Sequence, residues 1–294
     1  MDVELRAVIA RSLGAPVRAA RTVHGGDVAR AYAVDLDDGR TVFAKTHPEA
    51  PPYFFTTEAA GLRWLRDGVA PAGPIAVPEV LAVSDDAPNH LVLEWIDVGG
   101  TRAERDRAGE RSFGAGLARL HAAGADCFGR EDRRTTGSRG LPNEPMPTWA
   151  DFYATQRLLP LGRLAHDAGA LPPVAIEGLA RVAERLDGFD GADEPPARLH
   201  GDLWAGNRLV GGDGRHWLID PAAHGGHREF DLAMMRLFDG FGPGGFDAYD
   251  EVAPLASGWE ERVQLHQIAP LVVHAIKFGG GYVGAATDAI ARYA

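Results

Sequence analysis

The stretch that decides the fold is HGDLWAGN at residues 200–207, which is followed by LID at residues 218–220. Between them the pattern predicts a β-hairpin whose strands cover residues 208–210 and 216–219, with GGDG as the turn. A hairpin of that length brings Asn207 and Asp220 side by side at its open end, next to Asp202. The sequence therefore predicts that one amide and two carboxylates meet in a single site.

Asp202 and Asn207 are five positions apart, which is the spacing in the H-R-D-x-x-x-x-N catalytic loop of kinases. Mg²⁺ prefers oxygen ligands such as carboxylates, amides and nucleotide phosphates, so Asn207 and Asp220 are candidate Mg²⁺ ligands. Asp202 could accept the proton of a substrate hydroxyl while that hydroxyl attacks a phosphoryl group. The motif therefore predicts a phosphotransferase with Asp202 as its catalytic residue.

The composition is that of a globular protein, with 45% hydrophobic residues, 24% charged residues and a net charge of −11. Since there is no basic stripe, we expect no binding to nucleic acid or to anionic lipid, and a small-molecule substrate is favoured. Cys127 is the only cysteine, which excludes an internal disulfide and fits a reducing cytoplasm. We see neither a signal peptide nor an apolar run of membrane-spanning length, and therefore expect a cytoplasmic protein. Its oligomeric state is left open.

Lysine is rare in this chain, because only Lys45 and Lys277 are lysines among 30 basic residues. Lys45 ends the strand pattern VFAK at residues 42–45, which is close to the V-A-I-K strand of kinases, where the lysine contacts nucleotide phosphates. Glu58 lies on the next predicted helix and could pair with Lys45 to fix its position. The alternative is an exposed surface pair, which would contribute little to stability.

Two further segments are candidates for nucleotide binding. Gly25 and Gly26 lie between the first two predicted strands, where they would let backbone N–H groups approach phosphates; a plain hairpin turn is the alternative. Glu94, Trp95 and Ile96 lie at the predicted junction of two lobes, where backbone groups could bind the adenine edge. The alternative there is a strand end and linker without a ligand.

Other residues around the motif have less specific signals. Trp204 is either a core aromatic residue or a wall beside the acceptor, and we also place His227 and Arg228 on the acceptor side. His200 is expected to orient the catalytic loop through backbone hydrogen bonds, and Asp231 to anchor that loop as a buried charge. His227 belongs to an H-x-x-H pair, but no further zinc ligands stand at a suitable spacing.

The order of elements predicts an α+β fold with two lobes and a cleft that binds a nucleotide between them. Five strands and one helix in residues 1–97 form a small N-terminal nucleotide-binding lobe. Residues 98–294 form a larger, mainly helical catalytic and substrate lobe that contains the hairpin. Residues 240–245 and 279–282 are rich in glycine, and we expect them to be irregular.

With these motifs the chain resembles the fructosamine kinase (ketosamine-3-kinase) family, within the wider group of aminoglycoside-phosphotransferase-like and protein-kinase-like proteins. The resemblance covers residues 18 to 285 and is carried by HGDLWAGN (200–207), LIDPA (218–222), GHREFDLAM (226–234), GGD (25–27), VFAK (42–45), LVLEW (91–95) and FGGGY (278–282).

The resemblance implies ATP-dependent phosphorylation of the sugar 3-hydroxyl of a ketosamine, such as a fructosamine, ribulosamine or erythrulosamine adduct. The phosphorylated adduct would then break down and free the amine. By motif, Asp202 would be the catalytic base, Asn207 and Asp220 the Mg²⁺ ligands, and Lys45 the phosphate lysine. Residues 94–96 would form the hinge contact.

Two segments depart from the family pattern. Residues 132–143 read DRRTTGSRGLPN in place of a pattern near D-N-x-I-G-x-x-P-Q-x-N. Residues 262–270 read RVQLHQIAP in place of R-x-x-L-Y-Q-L-Y-P, so that His266 and Ala269 replace two tyrosines. The acceptor is therefore left open. The alternatives are another small-molecule kinase of this fold, acting on an aminoglycoside, choline or a related alcohol, and a non-enzymatic nucleotide-binding protein.

Overall fold

A five-stranded antiparallel sheet with two helices forms the N-terminal lobe, and a mainly helical lobe follows it. In this computed structural model the described residues are 1–23, 29–99, 109–132, 135–136, 140–189, 191 and 193–294. The strands are β1 (Val17–Val23), β2 (Arg30–Leu36), β3 (Thr41–Thr46), β4 (Ile75–Ala76), β5 (Val80–Ser84), β6 (His90–Glu94), β7 (Thr135–Thr136), β8 (Leu141–Pro142), β9 (Ala197–Leu199), β10 (Arg208–Val210), β11 (His216–Leu218) and β12 (His224–Gly226).

The helices carry most of the second lobe. They are α1 (Val3–Leu13), α2 (Phe54–Asp67), α3 (Glu110–Ala122), α4 (Trp149–Phe152), α5 (Leu159–Asp167), α6 (Pro173–Arg185), α7 (Glu229–Leu237), α8 (Pro243–Val252), α9 (Trp259–Phe278) and α10 (Gly281–Tyr293), with a π-helical turn at Tyr153–Leu158.

The N-terminal sheet has the order β1-β2-β3-β6-β5, and Lys45 of β3 lies opposite Leu91 of β6. Side chains on a strand point alternately to its two faces. Val92 therefore joins the apolar core that includes α1, whereas Leu91 and Leu93 join the core that includes α2. Because both faces are covered, the end of β3 is held firmly beside α2.

The core around α2 continues into the C-terminal lobe. Phe55 and Leu62 of α2 share one cluster with Phe113 and Leu117 of α3 and with Leu218 of the catalytic hairpin. Each such side chain contributes about 1.5–3 kcal/mol when it is fully buried. The two lobes are therefore joined by apolar packing as well as by the chain.

Backbone pairing between the lobes reinforces this joint. The two-residue strand β4 runs parallel to β11, with Ile75 opposite His216. Val98 forms an isolated bridge with Gly211, and the N–H of Gly212 donates to the carbonyl of Asp97 at 2.7 Å. The hairpin between the candidate site residues Asn207 and Asp220 is thus bonded to the segment that connects the lobes.

A buried tyrosine supplies a hydrogen bond that is missing inside α9. Pro270 lies inside this helix and has no N–H to donate to the carbonyl of His266. The hydroxyl of Tyr153 donates instead, at 2.8 Å to the carbonyl of Leu265 and at 3.2 Å to that of His266. The π-helical turn is thereby fixed against α9 in the large C-terminal core.

The structure confirms the α+β architecture and the catalytic hairpin, in which Arg208 pairs with Leu218. The expectation that residues 240–245 and 279–282 are irregular was wrong in part, because α8 begins at Pro243 and α10 at Gly281. Burial of Tyr249 and Ile290 outweighs the glycine content there. A lobe boundary at residues 97 and 98 stays a prediction. No helix in the described ranges is long and apolar enough to cross a membrane.

Candidate active site

Lys45 lies at the centre of the site, between two carboxylates from other elements. Its Nζ is 2.6 Å from Oε1 of Glu58 on α2 and 2.6 Å from Oδ1 of Asp220, which follows β11. Lys45 is buried, and 12% of the Glu58 side chain and 39% of the Asp220 side chain are exposed. The predicted pairing of Lys45 with Glu58 is therefore seen, and Asp220 joins it.

The charges in this group depend on one another. Burial opposes the charged form of Lys45, yet the two carboxylates raise its pKa above the ordinary value. Burial raises the pKa of Glu58 to about 7, although Lys45 acts in the opposite direction. For Asp220 the effect of Lys45 exceeds that of burial, and its pKa is lowered. Lys45 and Asp220 are thus a charged pair at neutral pH, while Glu58 can take up a proton.

Helix α2, which carries Glu58, is fixed at its start by a residue that sequence reasoning missed. Tyr53 stands at the N-cap in a left-handed conformation and offers no side-chain cap. Oδ1 of Asp85, on the turn after β5, accepts from the N–H of Phe55 at 2.8 Å. A carboxylate near a helix N-terminus is also favoured by the helix dipole.

The last turn of α2 is held by the C-terminal lobe. The ring of Trp64 lies between the guanidinium groups of Arg130 and Arg198, each 4.6 Å from the ring centre. Arg198 also donates to the carbonyl of Trp64 at 2.6 Å. These contacts fix the helix, and with it Glu58, beside Lys45.

The catalytic loop is anchored by a buried carboxylate. Asp231 has no exposed surface and accepts from the N–H of His200 at 2.7 Å and from that of Gly201 at 2.9 Å. His121 lies 3.2 Å from Oδ2 of Asp231. Burial raises the pKa of Asp231, but these hydrogen bonds outweigh it and hold the pKa below the ordinary value. The predicted anchoring role of Asp231 is confirmed.

His200 orients the loop through the backbone, as predicted. Its Nε2 lies 2.9 Å from the carbonyl of Ile219, and its Nδ1 accepts from the N–H of Asp202 at 3.2 Å. Burial lowers the pKa of His200, so the neutral ring with a proton on Nε2 fits both contacts. Gly201 has φ of 80°, and a Cβ there would lie 2.1 Å from the carbonyl oxygen of Ala222. Only glycine fits this turn.

Asp202 and Asn207 are brought together by the loop. Nδ2 of Asn207 donates to the carbonyl of Asp202 at 2.9 Å and to its Oδ2 at 3.2 Å. It also lies 3.5 Å from the carbonyl of Asp220. Burial raises the pKa of Asp202 to about 7, against the effect of the Asn207 hydrogen bond. A carboxylate with this pKa can accept a proton near neutral pH.

Asp220 reaches the site through an unusual backbone conformation. Its φ is 52°, in the left-handed region that residues other than glycine seldom adopt. The N–H of Ile219 donates to the carbonyl of Asn207 at 3.1 Å and closes the hairpin just before this residue. The turn directs the carboxylate of Asp220 toward Lys45, and the carbonyl of the same residue lies near the side-chain amide of Asn207.

Comparison with known proteins agrees with this geometry. A model of the fructosamine kinase family matches residues 1–294. The chain belongs to the fructosamine kinase family. A probable ketoamine kinase of Synechocystis sp. is 33% identical over 280 residues, which cover 93% of this chain and 90% of that protein. A chloroplastic protein-ribulosamine 3-kinase of Arabidopsis thaliana is 30% identical over 276 residues, covering 92% of this chain and 81% of the relative.

Solved structures give the fold. The crystal structure of a "putative fructosamine-3-kinase" from Thermobifida fusca is 40% identical, with a TM-score of 0.84, and the match covers 98% of this chain and 97% of the other. An aminoglycoside phosphotransferase in a ternary complex with ADP and hygromycin B is 16% identical, with a TM-score of 0.66 and 99% of both chains covered. The second likeness shows the fold alone. The two-lobe, protein-kinase-like α+β fold expected from the sequence is confirmed.

Residues 94–96, the predicted hinge contact, include the end of β6 and the two residues after it. Oε1 of Glu94 accepts from the N–H of Glu79 at 3.1 Å, and Trp95 donates to Asp97 at 2.9 Å, so neither side chain is free. Across the described part of the chain, no hydrogen bond to the backbone of Ile96 is found. A contact between the backbone of this segment and a nucleotide stays a prediction. Gly25 and Gly26 lie outside the described residues, and their role stays a prediction.

Two of the three residues predicted on the acceptor side are engaged elsewhere. His227 is buried, lies with its Nε2 2.8 Å from the carbonyl of Gly191, and has a pKa lowered by burial to about 4. Arg228 donates to both carboxylate oxygens of Glu194, at 2.6 and 2.7 Å. These contacts hold both side chains against the segment before β9 and, for Arg228, against the end of α8. A role of His227 and Arg228 at the acceptor stays a prediction. Trp204, by contrast, is 41% exposed.

One buried group resembles a metal site without being suited to one. His227, Glu229 and His266 each offer a ligand atom within 4.8 Å of the others. Glu229, however, accepts from Arg262 at 2.6 and 2.9 Å. The guanidinium of Arg262 already supplies the positive charge that a metal would bring. We therefore assign a structural role to these three residues.

Replacing Asp231 with Asn should destabilise the protein and reduce its turnover. The amide keeps one acceptor oxygen and places an NH₂ against a donor, so a buried N–H loses its partner at a cost of about 3 kcal/mol. Urea unfolding measures this loss, with the exposed Asp288→Asn as the matched control. An Asp231→Asn protein as stable as the control would contradict the anchoring role.

Proposed function

We propose that this protein is an ATP-dependent kinase that phosphorylates the sugar 3-hydroxyl of ketosamines, with deglycation as the outcome. The observation that carries the proposal is the convergence of Lys45, Glu58 and Asp220 beside the Asp202–Asn207 loop. It is supported by membership of the fructosamine kinase family over residues 1–294. The acceptor is a small fructosamine, ribulosamine or erythrulosamine adduct, and the protein acts in the cytoplasm.

The nucleotide lies between the lobes, with the base at residues 94–96 and the phosphates at Lys45. The ammonium of Lys45 neutralises phosphate charge. Glu58 would keep that ammonium in position while Asp220 binds a cation. Gly25 and Gly26 would add backbone contacts to the phosphates. Positioning and charge neutralisation supply most of the acceleration in phosphoryl transfer.

The donor set fits Mg²⁺. An amide and a carboxylate, from Asn207 and Asp220, offer oxygen ligands, and 39% of the Asp220 side chain is exposed to the cleft. When bound, Mg²⁺ would neutralise the negative charge that develops on the phosphates during transfer. The ion pair between Asp220 and Lys45 holds that carboxylate ionised, which is the form that a metal requires.

Asp202 acts on the acceptor. Its carboxylate takes the proton of the 3-hydroxyl while that oxygen forms a bond to the γ-phosphorus and the bond to the ADP oxygen breaks. The hydrogen bond from Asn207 holds the carboxylate in place. The product has a phosphate on the carbon next to the ketone. Loss of that phosphate begins the breakdown that frees the amine.

Incubation of ribulose-, erythrulose- and fructose-lysine with ATP and Mg²⁺ tests this function by mass spectrometry. We expect one added phosphate on at least one adduct. Asp202→Ala should abolish that product and leave ATP binding, measured by calorimetry, within about threefold, because the carboxylate acts on the acceptor. Phosphorylation of an aminoglycoside or choline, with every ketosamine left unchanged, would favour the alternative kinase. Normal turnover by Asp202→Ala would refute the assignment of the base.

The pH dependence of turnover should show the ionisation of Asp202. Because only the carboxylate accepts the proton and its pKa is raised to about 7, the rate should fall about tenfold per pH unit below that value. Glu58 has a raised pKa of about 7 as well, so Glu58→Gln is the control. We expect the Glu58→Gln protein to show the same fall in turnover rate at low pH. Loss of that fall in Glu58→Gln would assign it to the ionisation of Glu58 instead.

A further inference from the structure

The second lysine of the chain lies at one end of a set of aromatic rings that begins beside the catalytic loop. Lys277 is in the last turn of α9 and is exposed, with its Nζ 4.8 Å from the centre of the Phe278 ring. Its positive charge acts on Asp202 and favours the carboxylate form. Apart from Lys45 and Lys277, the 30 Lys and Arg residues of the chain are all arginines.

A set of rings connects Lys277 with the catalytic loop. Trp204, two residues after Asp202, contacts Phe238 with ring centres 6.2 Å apart, and Phe238 lies 5.0 Å from His274. His274 in turn lies 5.5 Å from Phe278 and 5.0 Å from Tyr282. We name Trp204, Phe238, His274, Phe278 and Tyr282 the aromatic platform. Phe278 is 53% exposed and Trp204 41% exposed, so the platform offers ring surface to a ligand.

An apolar groove adjoins the platform. Phe238 and Tyr282 line a cavity of about 340 Å³ together with Leu237, Leu271, Gly281 and Ala285. Trp204 and Phe278 flank the same two rings. A small aliphatic side chain fits such a surface, whereas a charged one would lose hydration there. The groove therefore suits an aliphatic part of the acceptor that lies away from the reacting hydroxyl.

The positive charge of Lys277 would act differently on different kinds of ketosamine. The amine of a ketosamine is basic and, when protonated, is repelled by a nearby ammonium. An adduct on the α-amino group of a free amino acid has a carboxylate next to that amine, only a few bonds from the 3-hydroxyl. An adduct on a lysine side chain of a protein has no carboxylate at that place. A carboxylate beside Lys277 would turn the repulsion into a charge-assisted hydrogen bond.

We infer that Lys277 and the aromatic platform form an acceptor subsite that recognises the α-carboxylate of ketosamines of free amino acids. This inference rests on the proposed kinase function and narrows its substrate class. Lys277 binds the carboxylate, the platform holds the sugar and the amine, and the groove accepts an aliphatic side chain. The 3-hydroxyl is then at Asp202.

The test compares the ribulose adducts of valine and valinamide, which differ in one carboxylate. The protein should phosphorylate the valine adduct with a kcat/KM about tenfold higher, as expected for one partly exposed charge-assisted hydrogen bond. Lys277→Met should bring the ratio of the two kcat/KM values close to one, and Lys277→Arg should restore most of it. Arg292→Met, which removes an exposed cation bonded to Gln264 near the start of α9, should keep the ratio.

Each other outcome contradicts the inference in a recognisable way. Equal phosphorylation of both adducts by the unchanged protein would overturn the carboxylate subsite and leave the kinase function intact. If Lys277→Met raised the KM for ATP by the same factor with both adducts and kept their ratio, Lys277 would serve the nucleotide, and the subsite would be refuted. Absence of phosphate transfer to every ketosamine would overturn the proposed function and the subsite together.

Discussion

The ammonium of Lys45, buried between the carboxylates of Glu58 and Asp220, is the constraint on which the rest of the structure depends. Removal of a charge from water costs several kcal/mol and is offset only when partners are close and well oriented. These partners come from β3, α2 and the turn after β11, which lie in both lobes. The shared core around α2 and the pairing of β4 with β11 fix the lobes at the separation that this contact requires. On the other side of the cleft, Asp231 is a second constraint, because its hydrogen bonds determine where the backbone of the catalytic loop lies.

Much of the site could be predicted from local sequence. The hairpin follows from its length and turn residues, and its register places Asn207 and Asp220 at the open end. Lys45 was identifiable because lysine is rare in the chain and because a strand ends there. The roles of His200 and Asp231 were also predicted, since short-range patterns around a catalytic loop leave few ways to satisfy its backbone groups.

Other features depend on contacts that a sequence does not display. Strand β4 has two residues, too few for any periodicity, and its partner is distant in the chain. The cap of α2 by Asp85 joins residues that only the folded sheet brings together. His227 and Arg228 follow the motif closely, but their partners Gly191 and Glu194 are more than 30 residues away in the chain, so the sequence alone did not indicate these contacts. Helix α10 begins at glycines because its buried face outweighs their conformational entropy.

The central claim is that Asp220 would hold Mg²⁺, and Lys45 the phosphates, in the complex with nucleotide. Calorimetric binding of ATP with and without Mg²⁺, to the unchanged protein and to Asp220→Asn, tests this claim most directly. The account predicts that Mg²⁺ tightens ATP binding by the unchanged protein at least about tenfold and that Asp220→Asn loses nearly all of this gain. The same gain in both proteins would show that Asp220 does not hold the metal and would contradict the account.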